Sequence, residues 1–266
     1  MERWSSMLWQ RVVTAMVGMP ILIALIYAGG WVMLIGLGIL STIMVREMSE
    51  MMRQARRTFF PVPAMMFTWS FFLAIKIGWP LGLLVASLLM ISAVITLWEA
   101  DQQGLEGAVL TLWSALYLGW FFAFFLQIRD LAHGRFLAFG VIVVIWATDT
   151  VAYAVGRTWG RHKLTFRVSP GKTWEGSIAG TLAGVLSGLG LAQAGPFPDW
   201  QGMLLGFSIS VAGQFGDLVE SNLKRYFGVK DSGSLLPGHG GMLDRFDSAL
   251  FALPLAYYLL GGLGIK

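Results

Sequence analysis

Cysteine is absent from this chain of 266 residues, which excludes disulfide frameworks, thiolate metal sites and thiol nucleophiles. Charged residues are also scarce: they make up 13% of the chain, about half of the ~25% that is usual in soluble domains. Hydrophobic residues make up 56%, and they occur in long runs, not in the short alternating segments of a membrane β-barrel. These proportions predict an all-α, polytopic integral membrane protein.

The apolar runs predict about nine transmembrane helices, since a helix needs ~20 residues to cross a bilayer. The runs lie near residues 12–28, 31–45, 59–76, 79–98, 107–127, 136–155, 177–195, 202–220 and 248–264. No stretch of soluble composition is long enough to form another domain, so we expect a single membrane domain over residues 1–266. Its first part, residues 1–135, shows little beyond hydrophobicity, and the polar motifs lie in residues 136–266. In the seventh run, the four-residue spacing of Gly180, Gly184 and Gly188 predicts close packing of helices.

Lys and Arg are distributed unequally between the two sets of loops that these spans define. Of the 19 Lys and Arg residues, 15 lie on the side shared by the N-terminus and both long charged loops. The positive-inside rule therefore predicts that the N-terminus and these loops are cytoplasmic.

Residues 221–247 form a charged segment, rich in Gly and Pro, between the last two predicted spans. It contains four cations and three carboxylates, namely Lys224, Arg225, Lys230 and Arg245, and Asp231, Asp244 and Asp247. Cations that bind phosphate, carboxylates that hold a divalent metal and glycines that admit a ligand are typical of phosphoryl or nucleotidyl transfer. The alternative is a solvated loop between helices.

Asp217 precedes this segment, near the end of the eighth span. If the helix continues, Asp217, Ser221 and Lys224 share one face, and Asp244 and Asp247 would share a face where the ninth span begins. Carboxylates that converge from two helix ends form an oxygen site suited to magnesium. The alternative is that these carboxylates form interfacial ion pairs with the Lys and Arg residues of the segment.

Another carboxylate, Asp149, lies inside the sixth span. A charged group within the bilayer costs ~2.5–3.5 kcal/mol on insertion scales, so we expect Asp149 to be functional. The structural alternative is a hydrogen bond across helices to Thr148, Thr150 or Tyr153.

Residues 156–176 form a second charged segment, before the seventh span. Its Gly171-Lys172-Thr173 is similar to part of a P-loop, but the first Gly of that motif is absent and no strand precedes it, so the P-loop interpretation fails. What remains is a basic loop followed by a helix N-terminus, which is suited to binding an anion. Among the histidines, His239 stands between glycines and could contact phosphate, whereas His162 lacks supporting context.

Both segments resemble one known family. Ser221-x-x-Lys224-Arg225-x4-Lys230-Asp231, Pro237-Gly-His239-Gly-Gly241 and Asp244-Arg245-x-Asp247 resemble the signature of the phosphatidate cytidylyltransferases, also called CDP-diacylglycerol synthases. The block from Asp149 to Gly176, with Ser169-Pro170-x-Lys172-Thr173-x-Glu175-Gly176, resembles that family's second conserved stretch. The first 130 residues agree with the family only in being hydrophobic.

The resemblance implies that the protein transfers CMP from CTP to phosphatidic acid, giving CDP-diacylglycerol and pyrophosphate. It implies magnesium held by Asp217, Asp244 and Asp247, and it leaves open a second, additional cation such as K⁺. The implied catalytic residues are Asp217, Lys224, Arg225, Lys230, Asp231, His239, Asp244, Arg245 and Asp247. The implied substrate-binding residues are Asp149, Ser169, Lys172, Thr173, Glu175 and Ser221.

The resemblance also implies a homodimer in the inner (cytoplasmic) membrane of the cell, to which phosphatidic acid comes from the cytoplasmic leaflet, and no nucleic-acid partner. One alternative is an enzyme with similar parts, either a cytidylyltransferase for another lipid phosphate or a CTP-dependent polyprenol kinase. Another is a transporter with Asp149 and Asp217 on an ion path, although a transporter does not need a large phosphate-binding loop. The Asp-Gly-x-x-Ala-Arg run of alcohol phosphotransferases is absent.

Overall fold

The computed structural model describes residues 16, 18–98, 102–233, 235 and 240–264. Within these residues every extended regular element is a helix, and an isolated antiparallel bridge joins Lys163 and Thr173. The helices are α1 (Gly18–Ala28), α2 (Gly30–Gln54), α3 (Pro61–Ile77), α4 (Leu81–Trp98), α5 (Gln102–Ala115), a π-helical turn (Leu116–Trp120), α6 (Phe121–Asp130), α7 (Gly134–Thr158), α8 (Trp174–Ala194), α9 (Asp199–Tyr226) and α10 (Leu243–Gly262).

Five of the described helices are long and apolar enough to cross a membrane. They are Gly30–Gln54, Gln103–Asp130, Gly134–Thr158, Trp174–Ala194 and Asp199–Tyr226, of which the second is the continuous run of α5, the π-helical turn and α6. Three shorter apolar helices are Gly18–Ala28, Pro61–Ile77 and Leu81–Leu97. The prediction of an all-α, multi-pass membrane protein is confirmed, whereas the count of nine spans and the sidedness of the loops stay predictions.

The second predicted span ends too early in the sequence-based interpretation. Residues 46–54 were expected in a loop because charged residues begin at Arg46, but α2 continues to Gln54. The buried face of the helix also continues, through Met48, Met51 and Met52. This spacing of three and four residues keeps one stripe packed against the protein, while Arg46 and Arg53 occupy exposed positions.

The described residues fall into two compact units. The first unit holds the residues as far as Leu126 together with Tyr226–Arg245, and the second holds Gln127–Arg225 and the residues from Phe246 onward. Aromatic side chains fill the core of the first unit, where Phe71 and Trp120 stack with their ring centroids 5.9 Å apart.

Small residues bring the helices of the second unit together. A Cβ atom at Gly180 of α8 would lie 2.8 Å from the Thr148 carbonyl oxygen of α7. Further along α8, Gly184 lies against Gly206 of α9 and Gly188 lies against Gly202 of α9, both too close to admit a Cβ atom. The predicted close helix packing at the four-residue spacing of these glycines is thereby confirmed.

Candidate active site

Backbone hydrogen bonds shape the loop between α7 and α8 in the second unit. The Leu164 N–H donates to the Lys172 carbonyl oxygen at 2.9 Å, next to the bridge between Lys163 and Thr173. The Lys172 N–H donates to the Ser169 carbonyl oxygen at 3.1 Å, which closes a turn. The loop is therefore a short hairpin that places Lys172 directly before α8.

Thr173 ends this hairpin and caps α8. Its backbone is extended, and its Oγ1 accepts a hydrogen bond from the Gly176 N–H at 3.2 Å, as a typical N-cap residue does. Its side chain is buried, and a Cβ atom at Gly160 would lie 2.6 Å from its Cγ2 atom. Thr173 thus has a capping role, and its part in substrate binding stays a prediction.

His162 and Glu175 link the hairpin to the first turn of α8. The His162 Nδ1 atom lies 2.6 Å from Glu175 Oε1, and the His162 backbone N–H donates to the same carboxylate at 3.2 Å. His162 had no supporting context in the sequence analysis, because a contact between residues 13 positions apart in a loop leaves no periodic signal. For Glu175, the structure adds this bonding role to the predicted substrate-binding one.

An ion pair joins the hairpin to α9. The Lys172 Nζ atom lies 2.7 Å from Asp217 Oδ2, with the two side chains 25% and 32% exposed. The helix α9 continues to Tyr226, so the predicted common face of Asp217, Ser221 and Lys224 is confirmed. On that face the Ser221 hydroxyl donates to Asp217 Oδ1 at 3.3 Å. Two charged segments that are separate in the sequence therefore meet at Asp217.

Further charges surround this pair within the second unit. The half-buried Asp247 carboxylate interacts electrostatically with Asp217, Asp149 and Lys224, and its Oδ1 accepts a hydrogen bond from the Ser248 N–H at 2.6 Å. The Asp149 side chain is exposed, although it lies in an apolar helix. A cation bound among these carboxylates would relieve their mutual repulsion.

Glu220 was not predicted as a site residue, although it is the most deeply buried carboxylate of α9. It is 0% exposed and lies 2.5 Å from the Nζ atom of Lys224, which is 12% exposed. The four-residue spacing of these two residues was a readable signal for an ion pair on one helix face. Because removal of either partner leaves a buried charge, the pair fixes the Lys224 ammonium group in place.

The carboxylates of Asp217 and Asp247 fit a magnesium ion. Magnesium is typically held by one or two carboxylates, with water and substrate phosphates completing its shell. In the part of the chain that the structure describes, no group of three or more His, Asp or Glu side chains is arranged as a metal site. Asp217 and Asp247 therefore suit an ion that arrives with a phosphate ligand, and the three-carboxylate site stays a prediction.

Asp244 shapes the signature loop, residues 227–242, in the first unit. Its Oδ2 atom accepts three hydrogen bonds, from the Gly241 N–H at 2.7 Å, the Ser232 N–H at 3.0 Å and the Ser232 hydroxyl at 2.9 Å. Gly240 has a positive φ of 78°, and a Cβ atom there would lie 2.5 Å from Asp244 Oδ2. This carboxylate thus organises the loop, a role that sequence spacing did not reveal, and its predicted role as a metal ligand stays a prediction.

Other predicted residues of the signature loop and its flanks lie at the surface. The side chains of Arg225, Lys230, Asp231 and Arg245 are exposed. His239 lies outside the described residues. Exposed charges in a glycine-rich loop are accessible to a ligand from solvent, as the predicted binding of phosphate requires.

Comparisons with known proteins relate the sequence to one family. Residues 9–262 match the Cytidylyltransferase family. The chain is similar to the phosphatidate cytidylyltransferase of Bacillus subtilis (strain 168), with 49% identity over 150 residues, which cover 55% of this chain and 56% of that protein. It is also similar to the phosphatidate cytidylyltransferase of Staphylococcus aureus (strain COL), with 35% identity over 259 residues, 94% of this chain and 98% of that protein. The protein of that name from Staphylococcus epidermidis (strain ATCC 12228 / FDA PCI 1200) is 34% identical over 264 residues, 94% of this chain and 98% of that protein.

Proposed function

The chain belongs to the cytidylyltransferase family, and on that premise we propose that it transfers CMP from CTP to phosphatidic acid, forming CDP-diacylglycerol and pyrophosphate. Relatives named for this reaction match nearly the whole chain. The structural observation that carries the proposal is the ion pair between Lys172 and Asp217. It joins the charged hairpin before α8 to the polar end of α9, as a site for a highly charged substrate requires.

The chemistry needs charge and position more than it needs a strong base. The nucleophile is a phosphate monoester, whose second pKa is about 6, so at neutral pH it is largely dianionic already. Attack of one of its oxygens on the α-phosphorus of CTP forms the new P–O bond and breaks the bond to pyrophosphate. The main obstacle is repulsion between two anions, and fixed cations with in-line positioning lower it.

Lys172 and Lys224 are two cations of the second unit that are held by carboxylates. Lys172 pairs with Asp217, and Glu220 holds Lys224. A triphosphate carries more negative charge than a single carboxylate, so an arriving CTP can draw Lys172 from Asp217 to its own oxygens. The pairing of Lys224 with a fully buried carboxylate keeps that ammonium group in position for a phosphate.

Asp217 and Asp247 are the residues that would hold magnesium. The ion, when bound, would neutralise phosphate charge in the transition state. Asp149 interacts with Asp247 and would shape the nucleotide pocket. In the first unit, Asp244 holds the signature loop so that Lys230 and Arg245 can approach a phosphate.

The proposal includes a place in the cell. We infer that the protein lies in the inner membrane of a bacterial cell with its N-terminus and charged loops in the cytoplasm, where CTP is available. The asymmetry of Lys and Arg supports this sidedness. Phosphatidic acid then enters from the cytoplasmic leaflet with its acyl chains still in the bilayer. A homodimer is part of the proposal through the family resemblance alone.

The test asks which phosphorus of CTP is attacked. Purified protein receives phosphatidic acid, magnesium and CTP that is labelled at either the α- or the γ-phosphate. We expect α-label in the lipid fraction and γ-label in pyrophosphate, and α-labelling should stop when phosphatidic acid or magnesium is withheld. Lipid labelled from the γ-position, or labelling that needs a free lipid alcohol, would refute cytidylyl transfer and favour the kinase alternative.

A further inference from the structure

A buried carboxylate from the N-terminal half of the chain contacts the signature loop. Glu47 lies in α2 and is 7% exposed. Its Oε1 atom accepts a hydrogen bond from the Met242 N–H at 2.7 Å, and its Oε2 atom accepts one from the Leu243 N–H at 2.9 Å. The first amides of a helix have no partner within that helix. Glu47 therefore satisfies donors at the start of α10 that would otherwise be buried without acceptors.

Ser232 connects Glu47 to Asp244. The Ser232 hydroxyl lies 3.2 Å from Glu47 Oε2 and 2.9 Å from Asp244 Oδ2. A hydroxyl group carries one proton, so it can donate to only one of these carboxylates at a time. The two carboxylates and the serine form one network, and that network ties Ser232 and the first residues of α10 to α2.

Two glycines of the loop leave the space that the Glu47 carboxylate occupies. A Cβ atom at Gly241 would lie 2.6 Å from Glu47 Oε2, and one at Gly233 would lie 3.0 Å from Glu47 Oε1. At these distances a side chain at either position would push the carboxylate away from the loop backbone. The glycines of the signature loop are thus explained in part by the close approach of a carboxylate that lies outside the signature.

We propose that Glu47 is a positioning residue for the reaction: from α2 it holds the signature loop in the conformation that presents Lys230, Asp231 and Arg245 to CTP. The inference rests on the proposed function, because it takes CTP as the ligand of these residues. Glu47 itself contacts backbone and serine and acts on the substrate only through the loop. The N-terminal helices would then do more than anchor the protein, since α2 would set the geometry of a substrate-binding loop.

The first test measures the loop itself and does not depend on any activity. The change is Glu47→Gln, which keeps the shape of the side chain but replaces one accepting oxygen with a donor. The control is Glu50→Gln on the same helix, where the carboxylate is 45% exposed and pairs with Arg53. In hydrogen-exchange mass spectrometry of the full-length protein, we expect faster exchange of the Met242 and Leu243 amides in Glu47→Gln only. Unchanged exchange at these amides would overturn the proposal.

The second test separates positioning from general stability. We expect Glu47→Gln to raise the KM for CTP by roughly tenfold, as the loss of one charge-assisted hydrogen bond predicts. The KM for phosphatidic acid should change little, and the melting temperature should fall by no more than a few degrees. Gly241→Ala should reproduce this pattern, because a Cβ atom there would displace both the Ser232 hydroxyl and the Glu47 carboxylate. A fall in kcat that follows only the amount of folded protein, with KM for CTP unchanged, would overturn the positioning role. Absence of CTP turnover by the unaltered enzyme would instead refute the proposed function.

Discussion

Replacing Lys172 by Met, Asp217 by Asn, or both together distinguishes a structural from a catalytic role of their ion pair. The charged atoms are 2.7 Å apart, but the side chains remain 25% and 32% exposed. The net contribution of an exposed ion pair to folding is ~1 kcal/mol or less, which corresponds to a change in melting temperature of about 2–4 °C. Loss of one electrostatic stabiliser of a transition state costs instead ~10²–10³ in rate.

We therefore expect each single variant to unfold within a few degrees of the unaltered protein and to lose at least about 100-fold in kcat. Tryptophan fluorescence during heating in detergent measures the first quantity. Transfer of label from α-labelled CTP to phosphatidic acid measures the second. If both residues act on the same substrate, the double variant should lose no more than the sum of the two single losses in free energy, and less if they act as a unit.

The pair of Arg57 and Glu106 in the first unit serves as a matched control. Its charged atoms are 2.9 Å apart and its side chains are 41% and 34% exposed, yet no catalytic role is assigned to either. Glu106→Gln should change stability by a similar small amount and leave kcat unaltered. Activity above about a tenth of the original rate in folded Asp217→Asn, or recovery of activity in the double variant, would refute the catalytic interpretation.

Three further predictions concern the second unit. A single cysteine at Gly171 should react only with reagents added from the cytoplasmic side, and one at Asp199 only with reagents added from the opposite side, because α8 lies between them. Labelling of both from one side would contradict the topology. Gly184→Ala should lower the free energy of unfolding by about 1–3 kcal/mol through overpacking against Ser210. Gly190→Ala, with nothing within 4 Å of its Cβ position, should leave it unchanged. Equal melting temperatures of the two variants would contradict the packing argument. Thr173→Ala should cost ~1 kcal/mol by removing the cap of α8, and a melting temperature unchanged from that of the parent would argue against the capping role.

Periodic features of this protein could be predicted from the sequence. The face shared by Asp217, Ser221 and Lys224 follows from 3.6 residues per turn, and α9 extends far enough to display it. The four-residue spacing of Gly180, Gly184 and Gly188 likewise predicted close packing of helices. Both predictions depend only on a regular helix, whose geometry relates sequence distance directly to position in space.

Features that depend on tertiary contacts could not be predicted in the same way. Lys172 and Asp217 lie in different segments, and no spacing rule connects them. Glu47 was missed for a second reason: the charges that begin at Arg46 ended the predicted span, so Glu47 was assigned to a loop. In the structure, the buried face of α2 continues beyond that point, and Glu47 lies on it.

The carboxylates of the predicted site differ in what holds them. Asp244 and Glu47 accept hydrogen bonds from backbone amides, which are fixed by the chain and cannot move to a ligand. Asp217 is held by a lysine and a serine, whose side chains can rotate towards a new partner. A carboxylate with fixed donors maintains structure, whereas one with mobile partners can exchange them when a charged substrate binds. The bonding pattern therefore assigns loop shape to Asp244 and Glu47, and it makes Asp217 the carboxylate whose surroundings would change during the reaction.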